Sequence, residues 1–78
     1  MGVTAYVLIE TEAGKSGQVA QQARSIDGVV SADDVSGPYD VIVRTLATSI
    51  DDLGRMVVSQ IQLIEGITRT VTCPVVKL

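Results

Sequence analysis

The chain has 78 residues, nine acidic and six basic side chains and a net charge of −3. That length makes one domain, and a single cysteine with no histidine leaves no Cys-based metal site, disulfide framework or His-assisted nucleophile to build. The basic residues are scattered singly, which argues against the clustered positive footprint of a nucleic-acid binder.

A domain this short buries only about 60 % of the surface that its unfolded chain exposes. Yet 46 % of its residues are hydrophobic, with a mean hydropathy of +0.37. Apolar surface on that scale belongs in a membrane or against a partner. The longest apolar stretches, such as Ala5 to Ile9 and Val41 to Val43, fall far short of the roughly 18 residues of a spanning helix. The N-terminus lacks the basic region of a signal peptide, and its apolar run stops at Glu10. The expectation is a cytoplasmic, self-associating protein.

Residues 3–10, VTAYVLIE, alternate without a break, and their β-branched content predicts a first strand. TEAGKSG interrupts the pattern. From Lys15 the spacing turns helical, with Val19, Ala20, Ala23 and Ile26 on one stripe, and Gly28 suits the left-handed position past a helix end. VVSADDVS, 29–36, predicts a second strand, Gly37-Pro38 a turn, and YDVIVRTLA, 39–47, a third strand paired back on the second. Ser49 and Asp52 have capping-box spacing, and Ile50, Leu53, Val57, Ile61 and Ile64 trace one stripe of a helix that ends before Gly66. ITRTVTCPVVKL, 67–78, alternates as a last strand until Pro74, which must sit at an edge or a strand end.

The order is βαββαβ. SIDGVVS at 25–31 is echoed by LIEGITR at 63–69, each a helix end, an acidic residue, a glycine and a β-branched strand start. This is the ferredoxin-like α+β pattern: a four-stranded antiparallel sheet with two helices on one face. The open face should then be polar in a monomer. Here the first strand offers Val3, Ala5, Val7 and Ile9 to one face but Tyr6 and Leu8 to the other. The third offers Val41 and Val43 to one and Ile42 and Leu46 to the other. Sheets packed face to face in a homodimer are expected.

Candidate chemistry is sparse. Gly14-Lys15-Ser16 resembles the end of a phosphate-binding loop, but Ile9 stands where that motif needs its first glycine. Asp33 and Asp34, adjacent on a strand, point to opposite faces, and Asp51 and Asp52 suit a helix's first turn. Cys73 reads as a small buried hydrophobe. No catalytic residue, metal ligand or cofactor site is expected, nor the stacking aromatics of an RNA-recognition module. The turn at Gly37–Asp40 remains, with two roles open. It can hold a ligand through its backbone N–H groups, the Tyr39 ring and hydroxyl, and the Asp40 charge facing an ammonium group. Alternatively it is a plain turn whose Tyr39 packs on the dimer seam and whose Asp40 pairs with Arg44.

VVSADDVSGPYDVIVR and IEGITRTVT resemble the effector-binding (RAM) domain of the Lrp/AsnC transcriptional regulators, and the resemblance covers the whole chain. It implies a dimeric α+β barrel type of assembly, with dimers joining into rings, often four dimers (an octamer). It also implies an amino acid or related metabolite bound in clefts between dimers. The turn residues that this maps onto are Gly37, Tyr39 and Asp40, with Thr70 and Thr72 as polar candidates on the last strand. Pro38 takes the motif's variable position and removes one N–H donor. Full-length relatives carry a helix-turn-helix domain, for which 78 residues leave no room. The resemblance thus implies a stand-alone RAM domain that does not bind DNA itself and acts with or against full-length regulators. The alternative class is a small dimeric α+β barrel enzyme of isomerase or monooxygenase type. An ACT-like allosteric module is a third possibility, disfavoured because such modules are normally fused to an enzyme.

Overall fold

The computed structural model describes residues 2–76, so the end of the predicted last strand, 77–78, lies outside the described residues. The elements run β1 (Val3–Thr11), α1 (Ser16–Arg24), β2 (Val29–Asp34), β3 (Val41–Ala47), α2 (Ile50–Met56) and β4 (Ile67–Pro74). The strands form one sheet in the order β2-β3-β1-β4, with every neighbouring pair antiparallel. The expected α+β ferredoxin-like fold is the one observed.

Alternation in the central strands decides where the core lies. Ala5, Val7 and Ile9 of β1 and Val41 and Val43 of β3 are fully buried, packed with Val19, Ala20 and Ala23 of α1 and Leu53 and Met56 of α2. Thr45 is the one buried polar residue among the described residues, and its hydroxyl donates to the Ala5 carbonyl at 3.1 Å. Among the described residues no helix is long and apolar enough to cross a membrane.

The sequence repeat is a structural repeat. Gly28 and Gly66 have φ of 94° and 100°, and each follows a helix and precedes a strand. In each half the first strand residue donates back across the glycine, Val29 N–H to the Ile26 carbonyl and Ile67 N–H to the Ile64 carbonyl.

Three boundaries differ from expectation. β2 stops at Asp34 and β3 starts at Val41, so the turn spans six residues. It is closed by the Val35 N–H donating to the Asp40 carbonyl at 2.9 Å, while the Asp40 N–H leaves the hairpin for the Ile9 carbonyl of β1. The second helix is α-helical only to Met56 and continues as a π-helical turn, Val57–Ile61, with the Gln62 N–H reaching the Val57 carbonyl. The capping box is half formed. Ser49 Oγ accepts the Asp52 N–H at 3.1 Å, but the Asp52 carboxylate takes the Thr48 hydroxyl and Arg55 instead of the Ser49 backbone. Pro74 ends β4, an edge strand, as its missing N–H requires.

Directly opposed residues share a face of the sheet. The face away from the helices therefore carries Tyr6 with Arg44 and Cys73, Leu8 with Ile42 and Val71, and Leu46 with Thr4. Leu46 is 51 % exposed and Tyr6 39 %, and Glu10 pairs with Arg69 at the rim. Cys73, expected to be buried, is exposed because it faces this side on the edge strand.

Two outcomes check this account of the fold. Gly28→Ala forces a side chain into a left-handed conformation, with its Cβ 2.8 Å from Met56 Cε and 3.1 Å from the Leu46 carbonyl. It should cost about 1–3 kcal/mol, a fall in Tm of roughly 4 °C or more. Gly54→Ala, in a helix with open space around it, should instead raise Tm. The second outcome concerns acid. The Thr48 hydroxyl, with help from Ser49 and Arg55 and against a smaller opposing effect of burial, holds the Asp52 carboxyl below its ordinary value of 3.8. A carboxyl lowered on folding stabilises above its unfolded pKa and loses that contribution as pH falls through the folded one. The Tm difference between wild type and Asp52→Asn should therefore be full at pH 6 and close below about pH 4 in thermal melts.

Candidate functional site

The six-residue turn sits over the end of β1 because Asp40 is bound there twice. Its N–H donates to the Ile9 carbonyl at 2.8 Å, and its Oδ2 accepts the Thr11 N–H at 2.8 Å. A side-chain oxygen thus substitutes for the main-chain partner that β3 would have offered one residue further on. Charge-assisted bonds of this kind are the stronger class of hydrogen bond. Asp40 is half-buried, and among the described residues its carboxylate forms no ion pair with Arg44. Its other oxygen, Oδ1, has no bonded donor among the described residues. Tyr39 is half-buried, while Gly37 and Pro38 are exposed at the tip with open space around the Gly37 Cα.

Thr70 and Thr72 lie on β4 opposite Ile9 and Val7. They therefore project to the helix side of the sheet, away from the apolar open face. β4 is the outer strand, so Thr72 is exposed and Thr70 half-buried. Thr70 Oγ1 accepts a bond from Gln62 Nε2 at 3.0 Å. Gln62, Ile67, Thr68, Arg69 and Thr70 line a groove of about 180 Å³. A larger, more open hollow of about 370 Å³ lies between the helices at Gln22, Ser25, Ser59 and Leu63, and it includes none of the expected site residues.

The five expected residues thus fall into two groups at the same end of the sheet. Asp40 reaches β1 at Ile9 from one side, and Thr70 pairs with Ile9 from the other. Two strand spacings, about 10 Å, separate them. Ile9, fully buried beneath the helices, fills the helix side of the sheet between them. One protomer does not bring the turn and the threonines around a common small molecule.

Residue-by-residue reading missed two participants. The Thr11 backbone is a partner that no side-chain pattern could reveal. Gln62 reads as an ordinary exposed helix position, and only the π-helical turn directs it at β4. Among the described residues no three side chains of His, Cys, Asp or Glu gather as a metal site would require.

Residues 4–78 match the ligand-binding domain of the Lrp/AsnC family. An uncharacterised HTH-type transcriptional regulator of Pyrococcus abyssi is 32 % identical over 75 residues, covering 92 % of this chain and 50 % of the relative. The chain thus spans half the length of that relative. The fold recurs in a hypothetical protein of Pyrococcus horikoshii at 30 % identity and a TM-score of 0.88, over 97 % of this chain and 92 % of the other. It recurs in Escherichia coli AsnC at 26 % identity and a TM-score of 0.89, over 97 % of this chain and 52 % of the other. At 16 % identity a Neisseria meningitidis transcriptional regulator, solved as its L-Met complex, shares the fold with a TM-score of 0.82, over 96 % of this chain and 50 % of the other. With all four strands but the first residue of β1, both helices and the Gly-x-Tyr-Asp turn inside the matched region, the chain belongs to the Lrp/AsnC ligand-binding domain family.

Proposed function

We propose that the chain is an effector-binding regulatory domain that takes a free amino acid or related small metabolite in a cleft between protomers. It acts by assembling with itself and with full-length Lrp/AsnC-type regulators in the cytoplasm, and it does not contact DNA. The observation that carries this reading is the match of residues 4–78 to a ligand-binding domain of transcriptional regulators. The L-Met complex of the Neisseria meningitidis regulator supports an amino acid as the ligand class.

The geometry supports where such a ligand would lie. Asp40 keeps one carboxylate oxygen for an ammonium group, and Thr70 and Thr72 supply hydroxyls, but buried Ile9 stands between them within one protomer. A second protomer presenting its own β4 beside the first protomer's turn completes the set. The open sheet face supplies the means of association. Burying Tyr6, Leu8, Ile42, Leu46 and Val71 against a second sheet contributes roughly 1.5–3 kcal/mol for each side chain fully covered. That face leaves the helix side, with Thr70 and Thr72, free for a second contact, and two such interfaces close a ring of dimers.

An enzyme working from a cavity between sheet and helices is not favoured. That layer is filled by apolar side chains, and its one buried polar group, the Thr45 hydroxyl, is bonded to the backbone. The scattered basic residues and net charge of −3 speak against direct DNA contact.

Light-scattering mass with and without each of the twenty amino acids tests the reading. A dimer or larger assembly whose mass shifts with one or two amino acids is expected. Asp40→Asn retains an oxygen for the Thr11 N–H and should keep the fold while binding that amino acid at least about tenfold more weakly. A monomer indifferent to all twenty would overturn it.

A further inference from the structure

Thr70 is bonded in a way that gives its end of the groove a polarity. A threonine hydroxyl has one proton to donate and two lone pairs. Gln62 Nε2 donates to Thr70 Oγ1 at 3.0 Å, which occupies one lone pair and leaves the O–H proton and the second lone pair for a partner. A hydroxyl that accepts one bond is polarised into a better donor. The two side chains share the groove of about 180 Å³ with Ile67, Thr68 and Arg69, so a small polar group has room to reach that proton.

The local fold sets this arrangement deliberately low in freedom. Gln62 ends the π-helical turn, and its N–H reaches back five residues to the Val57 carbonyl at 2.8 Å. In an uninterrupted α-helix the same residue would stand about 100° around the axis, away from β4. The turn's extra residue is what aims the amide across to the strand.

We propose that Gln62 is a positioning residue of the effector cleft. By donating to Thr70 Oγ1 it directs the Thr70 proton toward an incoming acceptor. The β4 end of the cleft therefore takes the carboxylate of a free α-amino acid and holds the corresponding α-amide less tightly, because the neutral amide carbonyl is the weaker acceptor of that proton. The ammonium end then faces the Asp40 carboxylate of the neighbouring protomer. This inference rests on the effector-binding reading above and adds the orientation of the ligand and the residue that sets it.

Isothermal titration of the protein with each of the twenty L-α-amino acids and with their α-amides tests it. Wild type should bind its preferred acid about tenfold or more tightly than the matching amide. Gln62→Leu should narrow that ratio several-fold by weakening the acid more than the amide. Thr70→Val should do the same, and the double variant should lose no more than Thr70→Val alone, as a residue acting only through that hydroxyl requires. Equal weakening of acid and amide by Gln62→Leu, or additive losses in the double variant, would overturn the role of Gln62 while leaving effector binding intact. Wild type that binds no amino acid at all would instead remove the functional reading, and this inference with it.

Discussion

Everything in this domain depends on the complete burial of one face of β1. Ala5, Val7 and Ile9 have no exposed surface, so the intervening residues are committed to the opposite face with no freedom to shift by one. That commitment is costly, because Tyr6 and Leu8 are then left on a face that no described element covers. The fold is stabilised on one side and, in the same step, leaves apolar surface uncovered on the other. The same burial puts Ile9 between Asp40 and Thr70, so the groups suited to a small zwitterion are held apart within one copy. The proposed association and ligand binding thus both trace to one alternation pattern.

Much of this was legible in the sequence. The period-two alternation of VTAYVLIE and the apolar stripe from Val19 to Ile26 give strand and helix directly. The echo of SIDGVVS in LIEGITR marks the two halves, because only glycine sits easily at the left-handed exits at Gly28 and Gly66. The face assignments of β1 and β3 followed from alternation alone. Long-range bonds that leave no periodic trace were not legible. Asp40 looked like a strand residue beside Arg44, yet its backbone and carboxylate are both taken by β1, 29 residues away in the case of Thr11. That distant pairing, not the local propensity of Tyr39 and Asp40, sets the start of β3.

The second helix teaches the same lesson. Ile50, Leu53, Val57, Ile61 and Ile64 fit an α-helical stripe well enough to hide the change of pitch after Met56. A stripe with spacings of three and four tolerates one extra residue per turn, so the π-helical turn leaves no signature in hydrophobic pattern. Its effect is felt only at Gln62, where orientation matters. Likewise, which face of β4 carries Thr70 and Thr72 could not be read from alternation, because ITRTVT alternates polar residues on both faces. Pairing with Ile9 and Val7 decides it.

The central claim is that the turn and β4 act together only across two copies, and subunit mixing tests it most directly. Asp40→Ala and Thr70→Val are each prepared alone, and each should bind the amino acid that wild type binds several-fold more weakly. Dissociated and reassembled together, they should recover about a quarter of the sites, since random mixing joins an intact turn to an intact β4 in that fraction of interfaces. Mixed assemblies that form but recover no binding would contradict the account, placing both groups in one copy's site or in none.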